Sequence, residues 1–239
     1  MTAKPRIWPV LLAVIAGFVI LCGLGTWQVY RLQWKQGLLA QLAANQDADP
    51  VDLATAESFH SIGNNVEFMK VRFRATYKHN AGMTMISTFE GGPGWIIITP
   101  ALSSEGLAVI VDRGRVPVER LESFDKPLGE VEITGVVRTY KNGKGYFEPD
   151  NDPEKNAWYW WDIPAMLKAS EFPASAKPFP FVVQVLPGSV TAEFPIPAEP
   201  KANLSNNHLG YALTWFGLAL ALVVVAGIYV RGLMKKSSA

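Results

Sequence analysis

Apolar residues gather in two long runs, one near each end of the chain. From Ile7 to Tyr30, and again from Leu209 to Val230, no side chain is ionised at neutral pH. Wound as helices rising about 1.5 Å per residue, each run spans about 30 Å or more, the depth of a bilayer core. Core helices of soluble domains rarely run so far without a charge. Both runs are therefore read as transmembrane helices, over 7–30 and 209–230, and the first keeps helical character to about Ala44. Between them the period changes. Val71 to Tyr77 alternates apolar and polar residues, the mark of a half-buried strand. Further strands are expected at Met83–Phe89, Trp95–Thr99, Leu107–Asp112, Val131–Tyr140 and Phe181–Leu186. Gly91-Gly92-Pro93-Gly94, Ser103-Ser104-Glu105-Gly106 and Asn142-Gly143 read as the turns between them. Asp162 can cap a short helix over Ile163–Ala169 with Pro164 in its first turn. Proline-rich Pro173–Pro200 reads as an extended return toward the membrane. The expected fold is two transmembrane α-helices flanking a mainly antiparallel β (α+β) extramembrane domain, barrel-like and with small helices. Its parts are a short N-terminus (1–6), the first span, the β-rich domain (31–206), the second span and a basic tail (231–239).

Aromatic residues bracket the spans. Trp8 and Trp27 lie 19 positions apart, and Tyr211 and Tyr229 lie 18 apart, each about one hydrocarbon thickness. Ala13 with Gly17, and Gly217 with Ala221, have the small-xxx-small spacing that lets helices approach closely. The first run exceeds a signal-peptide core and reads as an uncleaved anchor. With no transit-like stretch ahead of it, the expected location is a bacterial inner membrane. Lys4, Arg6, Arg231, Lys235 and Lys236 outweigh Arg31 and Lys35, so both termini are expected in the cytoplasm and the central domain in the periplasm.

Composition narrows the chemistry. Lys and Arg total 22 against 21 Asp and Glu, a net charge of +1, which argues against a nucleic-acid surface. The single cysteine, Cys22, falls inside a span, so no disulfide framework or Cys-x-x-Cys site can form. His60 and His79 lack metal-ligand spacing, and Met83 and Met85 alone do not make a copper site. Ser103-Ser104 has no nucleophile-elbow context and no carboxylate pair stands out, so no enzyme is expected. Asp112-Arg113-Gly114-Arg115 reads either as an ion-paired strand end or as a docking surface, and the role of Arg113 and Arg115 stays open.

Polar residues at the span ends say more. His208 is followed by Tyr211, Ala212 and Trp215 on one helical face. The histidine reads either as an interfacial side chain among lipid headgroups or as an iron ligand beside an aromatic wall suited to a porphyrin. Trp27, Arg31 and Trp34 share another face, where Arg31 either snorkels to headgroups or pairs with a propionate.

Two end motifs, Gly25-Thr26-Trp27-Gln28-Val29-Tyr30-Arg31 with Lys35, and Asn207-His208-Leu209-Gly210-Tyr211-Ala212-Leu213-Thr214-Trp215-Phe216, resemble those of the Surfeit-locus family of cytochrome oxidase assembly factors. Three internal motifs match in order: Gly92-Pro93-Gly94 with Thr99-Pro100, Val111 to Pro117, and Asn151-Asp152-Pro153 followed by Trp158 and Asp162. Where the family often carries Trp after the Arg-Gly pair, this chain has Arg115. The resemblance implies a two-span bacterial inner-membrane protein that assembles heme–copper oxidases, with heme a as transient cargo for oxidase subunit I. The family's heme-associated histidine corresponds to His208, with Tyr211, Trp215, Trp27 and Arg31 as its expected surroundings. Implied partners are subunit I, heme a synthase and the lipid bilayer. The competing reading is a scaffold that stabilises oxidase subunits without touching heme.

Overall fold

The computed structural model describes residues 7–140, 144–189, 192–200 and 207–237. Lys4, Arg6, the Asn142-Gly143 turn and the side chains of Lys235 and Lys236 lie outside the described residues, as do the edges of the domain at 201–206. The chain separates into two units, one holding the long apolar helices and the other, Gln41–Ala202, the β domain.

Helix α1 runs Trp8–Asp47 and α4 runs His208–Ser237. Both are long and apolar enough to cross a membrane. Pro9 is tolerated in the first turn of α1, and Pro50 prevents its continuation. The less exposed positions of α4 fall at His208, Ala212, Trp215, Ala219 and Leu222, a three-and-four spacing that forms one seam. On α1 the seam includes Gly17, Leu21, Gly25 and Gln28. A Cβ at Gly25 would lie 2.8 Å from the Phe216 ring, and one at Gly17 would lie 3.1 Å from Leu222. The two helices therefore pack antiparallel with backbones close together. Ala13, Gly217 and Ala221 are instead exposed, and nothing lies within 4 Å of a Cβ at Gly217. Of the small-residue spacings read from sequence, only Gly17 serves the seam.

In the domain, α2 (Leu53–Ser61) is followed by β1 (Lys70–Tyr77), β2 (Met83–Phe89), β3 (Gly92–Ser103), β4 (Leu107–Pro117) and β5 (Glu130–Arg138). Then come β6 (Ala157–Trp158), α3 (Ile163–Ala169) and β7 (Lys177–Val185). The sheet order is β1-β5-β7-β4-β3-β2-β6, and β1 also pairs with β3. That extra pairing, Ala75 opposite Ser103 and Tyr77 opposite Ala101, closes β1, β5, β7, β4 and β3 into a barrel. Five pairings are antiparallel, whereas β4–β7 and β2–β6 are parallel.

Strand alternation sends side chains to two cores. One contains Val71, Phe73, Val109, Val111, Ile133 and Val183, joined by Leu53 and Ala56 of α2. The other contains Ile96, Ile98, Ile110 and Val182, covered by Trp158 and by Ile163 and Met166 of α3. The Asp162 cap is present, accepting from Ala165 N–H at 3.1 Å.

Several sequence expectations need correction. Gly92-Pro93-Gly94 is not a turn but the start of β3, and the reversal is at Glu90-Gly91. β5 stops at Arg138 rather than Tyr140, and β7 runs Lys177–Val185 rather than Phe181–Leu186. Far from being a simple return, the Pro173–Pro200 stretch supplies a strand between β4 and β5 and then an antiparallel bridge from Ile196 to Arg115. Helix α2 and strand β6 were not anticipated, although Asp52 caps α2 by accepting from Thr55 N–H at 2.6 Å.

Candidate functional site

At one end of the helical seam, His208 Nδ1 lies 2.7 Å from Gln28 Oε1. Gln28 is 9% exposed, on the α1 face that carries Gly25. With the amide oriented this way its oxygen can only accept, so Nδ1–H is the donor, and in the neutral tautomer Nε2 is the nitrogen left with a lone pair. A polar amide inside an apolar helix needs such a partner, and so does the imidazole. Among the described residues no group of three or more His, Cys, Asp or Glu side chains comes together. The seam thus offers one oriented imidazole as a single nitrogen donor.

The other expected residues divide. Trp215 shares the seam with His208 and is half-buried, and Ala212 between them is buried. Tyr211 points away and is 56% exposed, so the single face expected for Tyr211, Ala212 and Trp215 is split. Trp27 and Trp34 also face outward. The Arg31 guanidinium carbon sits 4.0 Å from the centre of the Trp34 ring, a cation–π contact. Sequence reasoning quoted Gln28 in a motif but gave it no role; a carboxamide in an otherwise apolar run was the available signal.

The internal motifs serve architecture. Between Asp112 and Gly114 the β4 register slips by one residue against β3, leaving Arg113 as the bulged position. Asp112 Oδ1 accepts from Gly114 N–H at 3.0 Å. Gly114 has φ +118°, and a Cβ there would fall 2.3 Å from Ile196 O. Only glycine fits that backbone and that crossing. Burial pushes the Asp112 carboxyl up to about 6, against the opposing pull of Gly114 N–H and of Arg115 and Arg138. Arg138 Nε donates to Glu67 Oε1 at 2.8 Å, and Glu67 also accepts from Thr139. Arg115 Nε donates to Ser87 Oγ at 3.2 Å. Burial raises the Tyr140 phenol too, and its ring stacks on Trp161 with centroids 4.5 Å apart.

Asn151 organises the loop that follows, accepting from Tyr159 N–H and donating to Trp160 O. Asp152 accepts from Lys155 N–H, and Trp158 Nε1 donates to Asn156 Oδ1 at 2.8 Å. His60 packs edge-on against Phe181, and His79 bonds the Pro127 carbonyl at 2.8 Å; among the described residues neither belongs to a group of three or more metal-ligating side chains.

Comparison with known proteins finds relatives that span both the apolar helices and the barrel. Surfeit locus protein 1 from Rattus norvegicus is 32% identical over 221 residues, covering 83% of this chain and 68% of its own length. The Homo sapiens protein of that name is 31% identical over 235 residues, covering 90% and 74%. A SURF1-like protein from Rickettsia felis is 28% identical over 229 residues, covering 93% and 97%. Residues 15–220, from within the first apolar helix to within the last, match the SURF1 family model, and the chain belongs to that family.

Proposed function

We propose that this protein binds heme a through His208 during assembly of a heme–copper oxidase and hands it to oxidase subunit I. Family membership supports a general role in oxidase assembly without catalysis. The observation that carries the heme reading is the His208–Gln28 hydrogen bond. An imidazole whose Nδ1–H is held by an acceptor presents Nε2 in a fixed direction, the arrangement found behind many metal-bound histidines. Trp215 supplies aromatic surface on the same seam, the outward-facing Tyr211 adds a rim beyond it, and Arg31 supplies a cation for a propionate. Affinity must stay moderate, because cargo has to leave for the oxidase. The two helices cross the inner membrane with both termini in the cytoplasm and the barrel in the periplasm, as the flanking Lys and Arg favour.

The test is the absorption spectrum of protein purified from cells that make heme a. Bound heme a in the wild type and its loss in His208→Ala are expected. A heme spectrum unchanged by His208→Ala would overturn the ligand assignment. A second reading rests on the same bond, since Gln28 and His208 also form an interhelical clasp that needs no heme. That scaffold reading expects heme-free protein whose co-purification with subunit I survives His208→Ala.

A further inference from the structure

The polar seam leaves Arg113 unexplained. This residue is 7% exposed, and its Nη1 is buried with no hydrogen-bond partner among the described residues. A buried guanidinium donor without an acceptor is costly, more so than a neutral group. Its nearest carboxylate, Asp125 Oδ2, is 3.8 Å from Nη2, beyond hydrogen-bond distance, and that side chain is half exposed. The Tyr77 ring lies beneath the guanidinium at 4.9 Å. Burial lowers the arginine's proton affinity and lifts the Tyr77 phenol to about 12.

The place of Arg113 is not accidental. As the bulged residue of β4, it comes two positions after Val111, which points into the barrel core, near the end where β1, β4 and β7 finish. A cavity of about 320 Å³ opens there, lined by Arg113, Tyr77, Val131, Val185, Thr134 and Ser189 among others. That volume is at the small end of the range for small-molecule sites, and barrel mouths are a common place for them. Its walls combine aliphatic surface, one aromatic face, hydroxyls at the side and one guanidinium held by the long contact to Asp125 and by ring stacking. Asp125 and Glu132 also border the cavity. Their charges disfavour a phosphate or other polyanion, whereas a single carboxylate can pair with the Arg113 guanidinium that lines the cavity, with its body against Val131 and Val185.

We infer that this barrel mouth binds one carboxylate carried on a small apolar body, with Arg113 as the anchoring residue. The site is independent of the heme reading and involves no residue of the helical seam. Benzoate is the probe, with benzamide as its neutral isostere, both titrated into the full chain in detergent by calorimetry. Saturable benzoate binding is expected, at least tenfold tighter than benzamide, since a charge-assisted bond is worth about that much or more. In Arg113→Gln the preference for acid over amide should vanish. Val131→Trp, which fills the cavity and leaves Arg113 in place, should abolish binding even if Arg113→Gln fails to fold. Inorganic phosphate should not compete. Equal affinity for benzoate and benzamide, no binding of either, or unchanged benzoate binding in Val131→Trp would each overturn the assignment.

Discussion

Asp112 gives the fold a pH dependence whose sign can be worked out. The carboxyl is 2% exposed on β4, and burial raises its pKa from 3.8 to about 6. The folded chain therefore holds this proton more tightly than the unfolded chain does. Below the unfolded value both states are protonated and the group has no net effect. As pH rises from about 4 to about 6 the unfolded state ionises first, and folding loses stability. Two units at about 1.4 kcal/mol each give a cost of about 3 kcal/mol, complete above the folded value. Replacing Asp112 with Asn keeps an acceptor for Gly114 N–H while removing the charge. The charged groups acting on it, Arg115 and Arg138, stay in place in both proteins. Denaturant melts of both chains in detergent at pH 4 and pH 7 measure the difference. The advantage of Asp112→Asn over wild type should grow by about 2–3 kcal/mol across that interval. A difference that is flat with pH, or that shrinks as pH rises, would refute the reasoning.

Two other substitutions probe the seam and the barrel separately. Gln28→Leu should weaken heme a binding about 10- to 100-fold by releasing the His208 ring, while costing the helix pair only about 1 kcal/mol; heme titration and thermal melting separate the two, and heme affinity equal to wild type would exclude Gln28 as a positioning residue. Gly114→Ala should destabilise the domain by about 3 kcal/mol or more, from a left-handed backbone and a clash with the Ile196 carbonyl. Its denaturation midpoint is the measurement, and a midpoint within error of wild type would show that the crossing of Ile196 over Gly114 does not constrain this position.

Much of the barrel could be located from sequence because β1 alternates between a buried and an exposed face, while β3, β4 and the end of β7 are buried on both and read as apolar runs. Alternation at Val71 to Tyr77 found β1 to within one residue, and β2 coincides with its expected range. Misreadings occurred where residues that usually break strands are required by close approach. Gly94 sits in β3 because a Cβ there would come 2.7 Å from Phe89 Cβ and 2.8 Å from Val116 O. Its spacing within Gly-Pro-Gly carries no hint of that crowding, which comes from β2 and β4. Pro178 and Pro180 hid the start of β7 in the same way, since both occupy exposed positions of a strand whose alternate residues, Phe179 and Phe181, are buried. Closure of the barrel depends on β1 meeting β3, a contact between segments about 26 residues apart that no local pattern encodes.

The site was legible on one helix only. His208 stood out because a titratable group at the edge of an apolar run is expensive, but the same reasoning applies to a carboxamide, and Gln28 has no neighbour in its own helix to satisfy it. Two polar side chains in two apolar runs, each lacking a local partner, are most cheaply accommodated by bonding to one another. Antiparallel helices place the end of the first run beside the start of the second, which is where Gln28 and His208 fall. Tyr211 was assigned to the same face by its i+3 spacing, yet the seam turns between three- and four-residue steps and takes Ala212 instead. Beside His208 the seam therefore presents the small side of α4, with Tyr211 and Trp27 facing outward. Small residues on the seam let the two helices come close enough for Gln28 to hold the imidazole by its Nδ1.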